Sequence, residues 1–425
     1  SARLRQTARK KVGTRHSDLW QQATLVLDAL GSEGGLPELG LPGLGGLFEL
    51  GPMDVFTDSQ ITNTALLQTV YLLSNTTDRA NKRRAPVDFA HLGAEELGGI
   101  YEALLELHPR LDPGQGTFTL EAAAGNERKT SGSYYTPSDL IALVLDEALD
   151  PVLDEAVKAE NSEQALLAIT VCDPACGSGH FLVAAARRIA MCLATVRCAD
   201  SEPAPSQVQR ALRDVVGRCI YGVDLNPMAA ELAKVSLWLE AVEPGKPLAF
   251  LDAHIRIGNA LLGATPAVLA KGIPSTAFVA LTGDDRKVVS ALKKANTAEV
   301  KRRESGQLLM DLPIDNAGFG KELAALGASA AGGSLADTHL AAARLRELEA
   351  SPDRREAISY ADAWCAAFTQ PKNAETASVA VTDGTVQEWS NASAAARDLV
   401  AAESQRYRFF HWHLEFPEIF AVDQD

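Results

Sequence analysis

Apolar and polar positions follow two rhythms along this chain. Up to about residue 110, apolar side chains recur every three or four residues, the period of a half-buried helix. Residues 60–75 read as one helix. Ala90 to Leu107 (AHLGAEELGGIYEALLEL) reads as another, with Leu97, Ile100, Tyr101, Leu104 and Leu105 on one face. His108-Pro109 ends it, because a residue before proline is pushed out of the helical region. Between the chain start and these helices, residues 31–52, rich in Gly, Leu and Pro (GSEGGLPELGLPGLGG), hold too many breakers for a regular element and read as loop. Residues 1–125 are therefore expected to form a mainly helical N-terminal domain.

From residue 131 the rhythm changes to short apolar runs, each closed by a polar residue and followed by an amphipathic stretch. SGSYYTP (131–137) is a polar turn that leads into a helix over Ser138–Leu149. Ala168–Cys172 (AITVC) reads as a strand stopped by Asp173-Pro174, and a helix over Phe181–Thr195 follows. Ile220–Leu225 (IYGVDL) and His254–Ile257 (HIRI) repeat the pattern, with a helix over Met228–Ala241 between them and Gly258-Asn259 after the last. Strand and helix alternating at this spacing predict an α/β fold with a parallel sheet in residues 126–263. Ligands of such sheets sit outside the carboxyl ends of the strands, where Asp173, Asp224 and Asn259 fall. Residues 264–405 are Ala-rich. Charged helical stretches near 290–303, 338–350 and 389–406, with Gly and Ser interruptions at 316–334, predict a helical insertion without a catalytic motif. Tyr407–Phe420 (YRFFHWHLEFPEIF) is aromatic and apolar, and residues 406–425 form a separate return strip.

Composition narrows the picture. The 425 residues carry 40 Lys+Arg against 55 Asp+Glu, a net charge of −15. That length supports roughly two or three domains. No apolar run approaches the roughly 18 residues of a membrane span, and no signal peptide opens the chain, so a cytoplasmic protein without a membrane partner is expected. Six cysteines in so long a chain make neither a disulfide framework nor a zinc site, and no metal is expected. The acid excess argues against a simple nucleic-acid coat, although a local basic face can coexist with it. Arg3, Arg5, Arg9, Lys10, Lys11 and Arg15 lie in a stretch without acids. They read either as a solvated helix start or as a phosphate-contacting arm.

The chemistry concentrates in DPACGSG (173–179), between a strand and a helix. Gly177 and Gly179 let the backbone turn sharply and approach a ligand. The loop lacks the Lys-Ser/Thr of a P-loop, and Leu182 stands where a dinucleotide fingerprint has its third glycine. Asp173 would repel a pyrophosphate but attract an ammonium, which favours a cofactor that bears an amino acid. Asp224, closing the next strand, is placed to take ribose hydroxyls, or to cap the helix that Asn226-Pro227 begins. Cys172 and Cys176 lack partners at ligand spacing and read as packing residues. His180 has no Ser or acid placed to make it a triad base.

With these residues in view, the chain resembles the S-adenosylmethionine-dependent DNA adenine-N6 methyltransferases (EC 2.1.1.72), and more narrowly the large enzymes of restriction–modification and phage-defence systems. DPACGSGHFL resembles the main cofactor motif, YGVDLNPMA the second, IRIGNALLG the third, and SGSYYTP the segment that closes over the cofactor's methionine end. HLGAEELGGIYEALLEL and the terminal strip resemble the family's flanking segments. The resemblance implies a Rossmann-like sheet and an S-adenosyl-L-methionine site. Asp173, Pro174, Ala175, Cys176, Gly177 and Gly179 would lie along the methionine end, and Asp224 and Leu225 at the ribose. Asn259 and Ala260 would lie at the adenine, and Tyr135, Thr136 and Pro137 would close the site. It also implies double-stranded DNA as partner, with other defence subunits or the remainder of the same polypeptide.

One departure stands out. The family's catalytic motif is Asn, Asp or Ser, then Pro-Pro, then an aromatic residue, and no Pro-Pro pair occurs in this sequence. FHWHLEFPEIF resembles the strip just ahead of that motif. The expectation is thus a cofactor-binding part of a larger or split enzyme, inactive alone. The alternative is a non-catalytic scaffold of the same fold in a defence complex.

Overall fold

The computed structural model describes residues 2–10, 13–32, 36–39, 59–77, 84–88, 98–100, 107–112, 114–122, 136–241, 251–305, 316–332 and 335–420. In the N-terminal part, helices α1 (Ala2–Arg9) and α2 (Asp18–Gly31) pack on α3 (Asn63–Leu73). Buried Asn63 fixes the join: its side chain accepts from Leu19 N at 3.1 Å and donates to Asp18 at 2.7 Å.

Two antiparallel hairpins accompany these helices, contrary to a mainly helical reading. They are β1 (Asn75–Thr77) with β2 (Arg84–Pro86), and β3 (Leu107–Asp112) with β4 (Thr117–Ala122). Leu107 and His108-Pro109 therefore lie in a strand rather than at a helix end. The alternating Thr117-Phe118-Thr119 supplies a β-forming partner. Asp112 Oδ1 accepts from Gly114 N at 2.9 Å and Gln115 N at 3.1 Å, closing the turn. Residues 98–100 are helical, and most of the helix expected over Ala90–Leu107 lies outside the described residues.

The central part matches the strand–helix reading closely. Helices α4 (Ser138–Ala148), α5 (Asp150–Lys158) and α6 (Ser162–Leu167) precede β5 (Val171–Asp173), α7 (His180–Cys198), α8 (Pro205–Val216), β6 (Ile220–Asp224), α9 (Pro227–Ala241) and β7 (Ile255–Ile257). The three strands are parallel in the order β5-β6-β7, with Asp173 opposite Gly222 and Asp224 opposite Ile257. Ile220, Tyr221 and Val223 are buried on both faces of β6, as parallel strands covered by helices require. Ile220 shares the main apolar cluster with Leu182, Ile189 and Leu193 of α7, whereas Tyr221 and Val223 cluster with Phe410 and Phe416.

Beyond β7, helices α10 (Pro266–Lys271), α11 (Arg286–Glu304), α12 (Ala317–Gly332), α13 (Leu335–Glu349), α14 (Pro352–Thr369), α15 (Asp383–Gln387) and α16 (Ala394–Tyr407) build the insertion. Its own core gathers Phe278, Tyr360, Val381 and Trp389. Residues 317–332 are a helix, not an interruption. Phe319, Leu323 and Leu326 give α12 an apolar face against α13, and a Cβ on Gly320 would stand 2.7 Å from Pro417 O.

The terminal strip then returns to the sheet. Phe409 bridges Asn259 in parallel, and Phe410 N donates to Leu262 O at 2.8 Å, ahead of the short α17 (Trp412–Glu415). Gly258 and Gly263 make room for it, since a Cβ would lie 2.4 Å from the Phe410 ring and 1.8 Å from Phe410 O. Among the described residues no helix is long and apolar enough to cross a membrane.

Candidate functional site

The glycine loop is built by backbone geometry. Gly177 and Gly179 both hold positive φ, +54° and +83°, which side-chain-bearing residues rarely adopt. At Gly177 a Cβ would meet nothing within 4 Å, so the space above this peptide is open. At Gly179 it would stand 3.1 Å from Ala233 Cα, so this glycine also lets α7 and α9 close up. Cys176 N donates to Val223 O at 2.9 Å and ties the loop to the neighbouring strand. Cys176 itself is buried, and burial pushes its thiol up, out of nucleophilic reach. Among the described residues no group of His, Cys, Asp and Glu is placed to hold a metal.

The two acids meet through this loop. Asp224 Oδ2 accepts from Gly177 N at 2.8 Å, and its Oδ1 accepts from Asn226 N at 2.7 Å. Asp224 thus braces both turns at once, and each oxygen keeps a further lone pair for a ligand. Asn226 Oδ1 accepts from Met228 N at 3.0 Å and starts α9. Asp173 Oδ1 accepts from Ala175 N at 3.0 Å, while its other oxygen bonds to no described residue. Burial raises the Asp173 carboxyl above the usual carboxylate range. The Ala175 N–H opposes that shift, and the nearby Asp224 charge adds to it. A carboxylate uncomfortable in this way is relieved by a cation.

Asn259 joins the same edge, because Gly258 N donates to Asp224 O at 2.9 Å. Its Oδ1 accepts from Leu261 N at 3.2 Å and its Nδ2 is uncommitted among the described residues. Ala260 O receives Trp412 Nε1 at 3.1 Å, and Leu225 is nearly half exposed beside Asp224. Pro174 and Ala175 lie exposed on the loop. Thr136 and Pro137 stand at the start of α4, which packs on α7, and no hydrogen bond ties them to the glycine loop. Tyr135 lies outside the described residues.

Two contacts were not legible in the sequence. Arg408, in left-handed backbone at φ +53°, donates through Nη1 to Leu225 O and clamps the terminal strip onto the Asp224 turn. A Cβ on Gly98 would stand 2.5 Å from Ser178 Oγ, so the upstream helical segment reaches the glycine loop. A cavity of about 460 Å³ lies elsewhere, between α10, α11 and α14, with Lys271, Thr297, Lys301 and Trp364 in its lining.

Residues 149–246 match the sequence pattern of the MmeI DNA-methyltransferase domain. A protein of Methanocaldococcus jannaschii described as a type II restriction enzyme and methyltransferase is 24% identical over 213 residues, 40% of this chain and 17% of its own length. The adenine-specific methyltransferase PglX of Streptomyces coelicolor is 27% identical over 142 residues, 32% of this chain and 10% of its own. The chain therefore spans a small fraction of these relatives. The solved structure of the type IIL restriction–modification enzyme MmeI in complex with DNA aligns over 53% of this chain and 28% of its own, at 19% identity and a TM-score of 0.34, too low to carry an argument. The sequence matches thus make residues 149–246 similar to the MmeI DNA-methyltransferase domain.

Proposed function

We propose that this chain carries the S-adenosyl-L-methionine site of a Rossmann-like DNA adenine-N6 methyltransferase that serves a restriction–modification or phage-defence system in the cytoplasm. One observation carries the reading. Two carboxylates close adjacent parallel strands and are linked through a positive-φ glycine loop, Asp224 Oδ2 to Gly177 N at 2.8 Å. The residues present fit the cofactor. The free Asp173 oxygen and its raised carboxyl suit an ammonium. The open space over Gly177 admits a ligand close to the backbone. Asp224 retains lone pairs for a ribose diol, and the Asn259 amide offers a donor to an adenine ring.

When bound, the cofactor supplies a methyl group activated on a sulfonium. The chain's own residues bind and orient. Asp173 holds the amino-acid end, Asp224 fixes the ribose while keeping the glycine loop in shape, and Arg408 keeps the terminal strip against the Asp224 turn. The amide, backbone carbonyl and aromatic face that grip an extruded adenine are those of the Pro-Pro motif, which this sequence does not contain. Positioning supplies much of the rate of methyl transfer, so residues 1–425 by themselves should bind cofactor and transfer no methyl to DNA.

Calorimetry tests the site. S-adenosylmethionine or its demethylated product should bind the folded chain with a measurable heat, and no heat with either ligand overturns the reading. Asp173→Ala should weaken both ligands at least roughly tenfold and leave adenosine much less affected, since a hydrogen bond to a charged group is worth about 1.5–3 kcal/mol. Asp224→Ala should weaken all three. Labelled methyl transfer to DNA should appear only with a complement that supplies the missing tetrapeptide.

A further inference from the structure

Helix α11 presents a stripe of cations that no element of the fold uses. Arg286, Lys287, Lys293, Lys294 and Lys301 are all exposed. At 100° per residue they fall within about 120° of the helix surface. Val289 and Asn296, about 100–120° around the helix from the middle of the stripe, are buried. Some exposed cations elsewhere are answered by acids, Lys158 by Glu155, Arg187 by Glu240 and Arg344 by Glu322, while others, such as Arg15, Lys271 and Arg355, have no ion pair among the described residues. None of the five stripe cations forms an ion pair with a described residue, in a chain with 55 acids to 40 bases.

The spacing is also unlike that of a self-paired helix face. Within the helix, the positions one turn from Lys293 and Lys294 are Val289, Ser290, Ala291, Asn296, Thr297 and Ala298, none of them acidic. The cations recur every seven residues, about 10.5 Å apart along the axis, with short side chains between them that allow a close approach. Arg286 and Lys287 stand in the first turn, where the helix dipole disfavours positive charge. The N-cap Asp285 and the exposed Glu304, one turn beyond Lys301, are the acids at the two ends of this face, and neither forms an ion pair with a stripe cation.

The helix that carries the stripe is tied by side-chain hydrogen bonds to neighbouring segments of the helical region. Asn296 Nδ2 donates to Ile273 O at 2.8 Å and its Oδ1 accepts from Asp383 N at 2.8 Å. Arg303 Nη1 donates to Ala270 O at 2.8 Å. Glu299, one of the two acids on the helix, faces inward and accepts from Gly384 N at 2.9 Å. These bonds fasten α11 to the end of α10 and to the start of α15.

We infer that this face of α11 is a docking surface for the phosphate backbone of duplex DNA, the element that holds the substrate beside the sheet edge. The inference rests on the DNA-methyltransferase reading for the identity of the polyanion. The charge pattern, the absence of acids around the central cations and the hydrogen-bonded seating supply the surface. Contacts of this kind fix position without reading sequence.

The test measures affinity of the full 425-residue chain for a 25-base-pair duplex against salt concentration. Each phosphate contact contributes about 0.9 to the slope of log K against log salt. Replacing Lys287, Lys293, Lys294 and Lys301 by Gln should lower that slope by about three to four and weaken binding at 0.1 M salt by roughly a thousandfold. The same four positions changed to Arg should keep the slope. Calorimetric binding of S-adenosylmethionine by the Gln variant should equal that of the parent, which shows that the fold survives. A slope unchanged by the Gln substitutions overturns the inference, as does a slope lost instead on replacing Arg3, Arg5 and Arg9. Equal loss of binding to 3:1 phosphatidylcholine–phosphatidylserine vesicles, with DNA binding intact, assigns the stripe to a membrane surface and also overturns it. A parent chain that binds duplex through α11 but no cofactor would keep this inference and sink the methyltransferase reading.

Discussion

The parallel-sheet core and the helical insertion hold their polar groups in opposite ways. In the sheet core one apolar cluster runs from Ile141 to Ile255, and the candidate-site carboxylates Asp173 and Asp224, at the ends of β5 and β6, are partly exposed. The backbone ladder fixes the register of the strands, with buried His254 adding one side-chain bond to Ile220 O at 3.0 Å. The insertion has no ladder. Its helices are aligned by buried polar side chains that grip backbone at long range. Gln370 pairs with both backbone groups of Val381, at 2.7 and 2.9 Å. Asp383 accepts from Ile273 N at 2.9 Å and faces Arg303 at 3.4 Å. His411 accepts from Ala264 N through Nδ1 at 3.0 Å, so Nε2 carries the proton and donates to Asp362 at 2.9 Å. The comparison teaches that a bundle of irregular helices gains its uniqueness from many satisfied polar contacts, whereas a small parallel sheet obtains it chiefly from main chain.

The strongest way to break this comparison is Asp383→Ala. It leaves Arg303 without its buried partner and frees Ile273 N, and should cost about 3–5 kcal/mol. Denaturant unfolding followed by Trp389 fluorescence should report the loss, while cofactor binding at the sheet edge persists at low denaturant. Coincident loss of both signals would show that sheet and insertion are one cooperative unit.

Leu182→Ala strikes the other side. Leu182 is fully buried in α7 and touches Gly222 of the central strand. Its truncation should cost about 2–5 kcal/mol and abolish cofactor binding before the insertion's fluorescence changes.

Acid sharpens the contrast. Burial lowers His254, between β6 and β7, to about 4, and burial with the charge of His411 lowers His413 to about 4. The folded chain keeps both neutral while the unfolded chain protonates them from about pH 6.5. Stability should therefore fall as pH drops from about 6.5 to about 4, by up to about 3 kcal/mol per histidine. His254→Phe should remove part of this loss in a pH series of thermal midpoints, unless the stacking of His254 on Tyr221 is the larger effect.

The smallest expected effect has the opposite sign. Burial raises Glu418 to about 7, against the pull of Arg256 and Tyr221. An acid with a raised folded pKa costs stability above that pKa, and the cost disappears as pH falls toward its unfolded value. Glu418→Gln should raise stability by about 1–2 kcal/mol at pH 8 and do nothing at pH 4.

How much could be read from the chain follows the same division. The three strands fall within three residues of the apolar runs that announced them, and α7 and α9 begin one residue from the positions read. The β3–β4 hairpin was missed, because HPRLD carries a proline and its pairing depends on a partner five residues on. The helix over residues 317–332 was missed for a related reason. Its glycines weaken local propensity, and contact with α13 and Pro417 overrides them.

The sequence by itself determined the alternation of strand and helix, the glycine loop and the acids that close β5 and β6, because period, turn chemistry and strand ends are local properties of a few consecutive residues. Tertiary structure alone decided that Asp224 braces Gly177, 47 residues away, that Arg408 reaches Leu225, and that the cations of α11 face outward on a helix anchored to Ile273. Those facts depend on which distant backbone groups arrive together, and no local pattern encodes an arrival that only the packing of the whole chain can arrange.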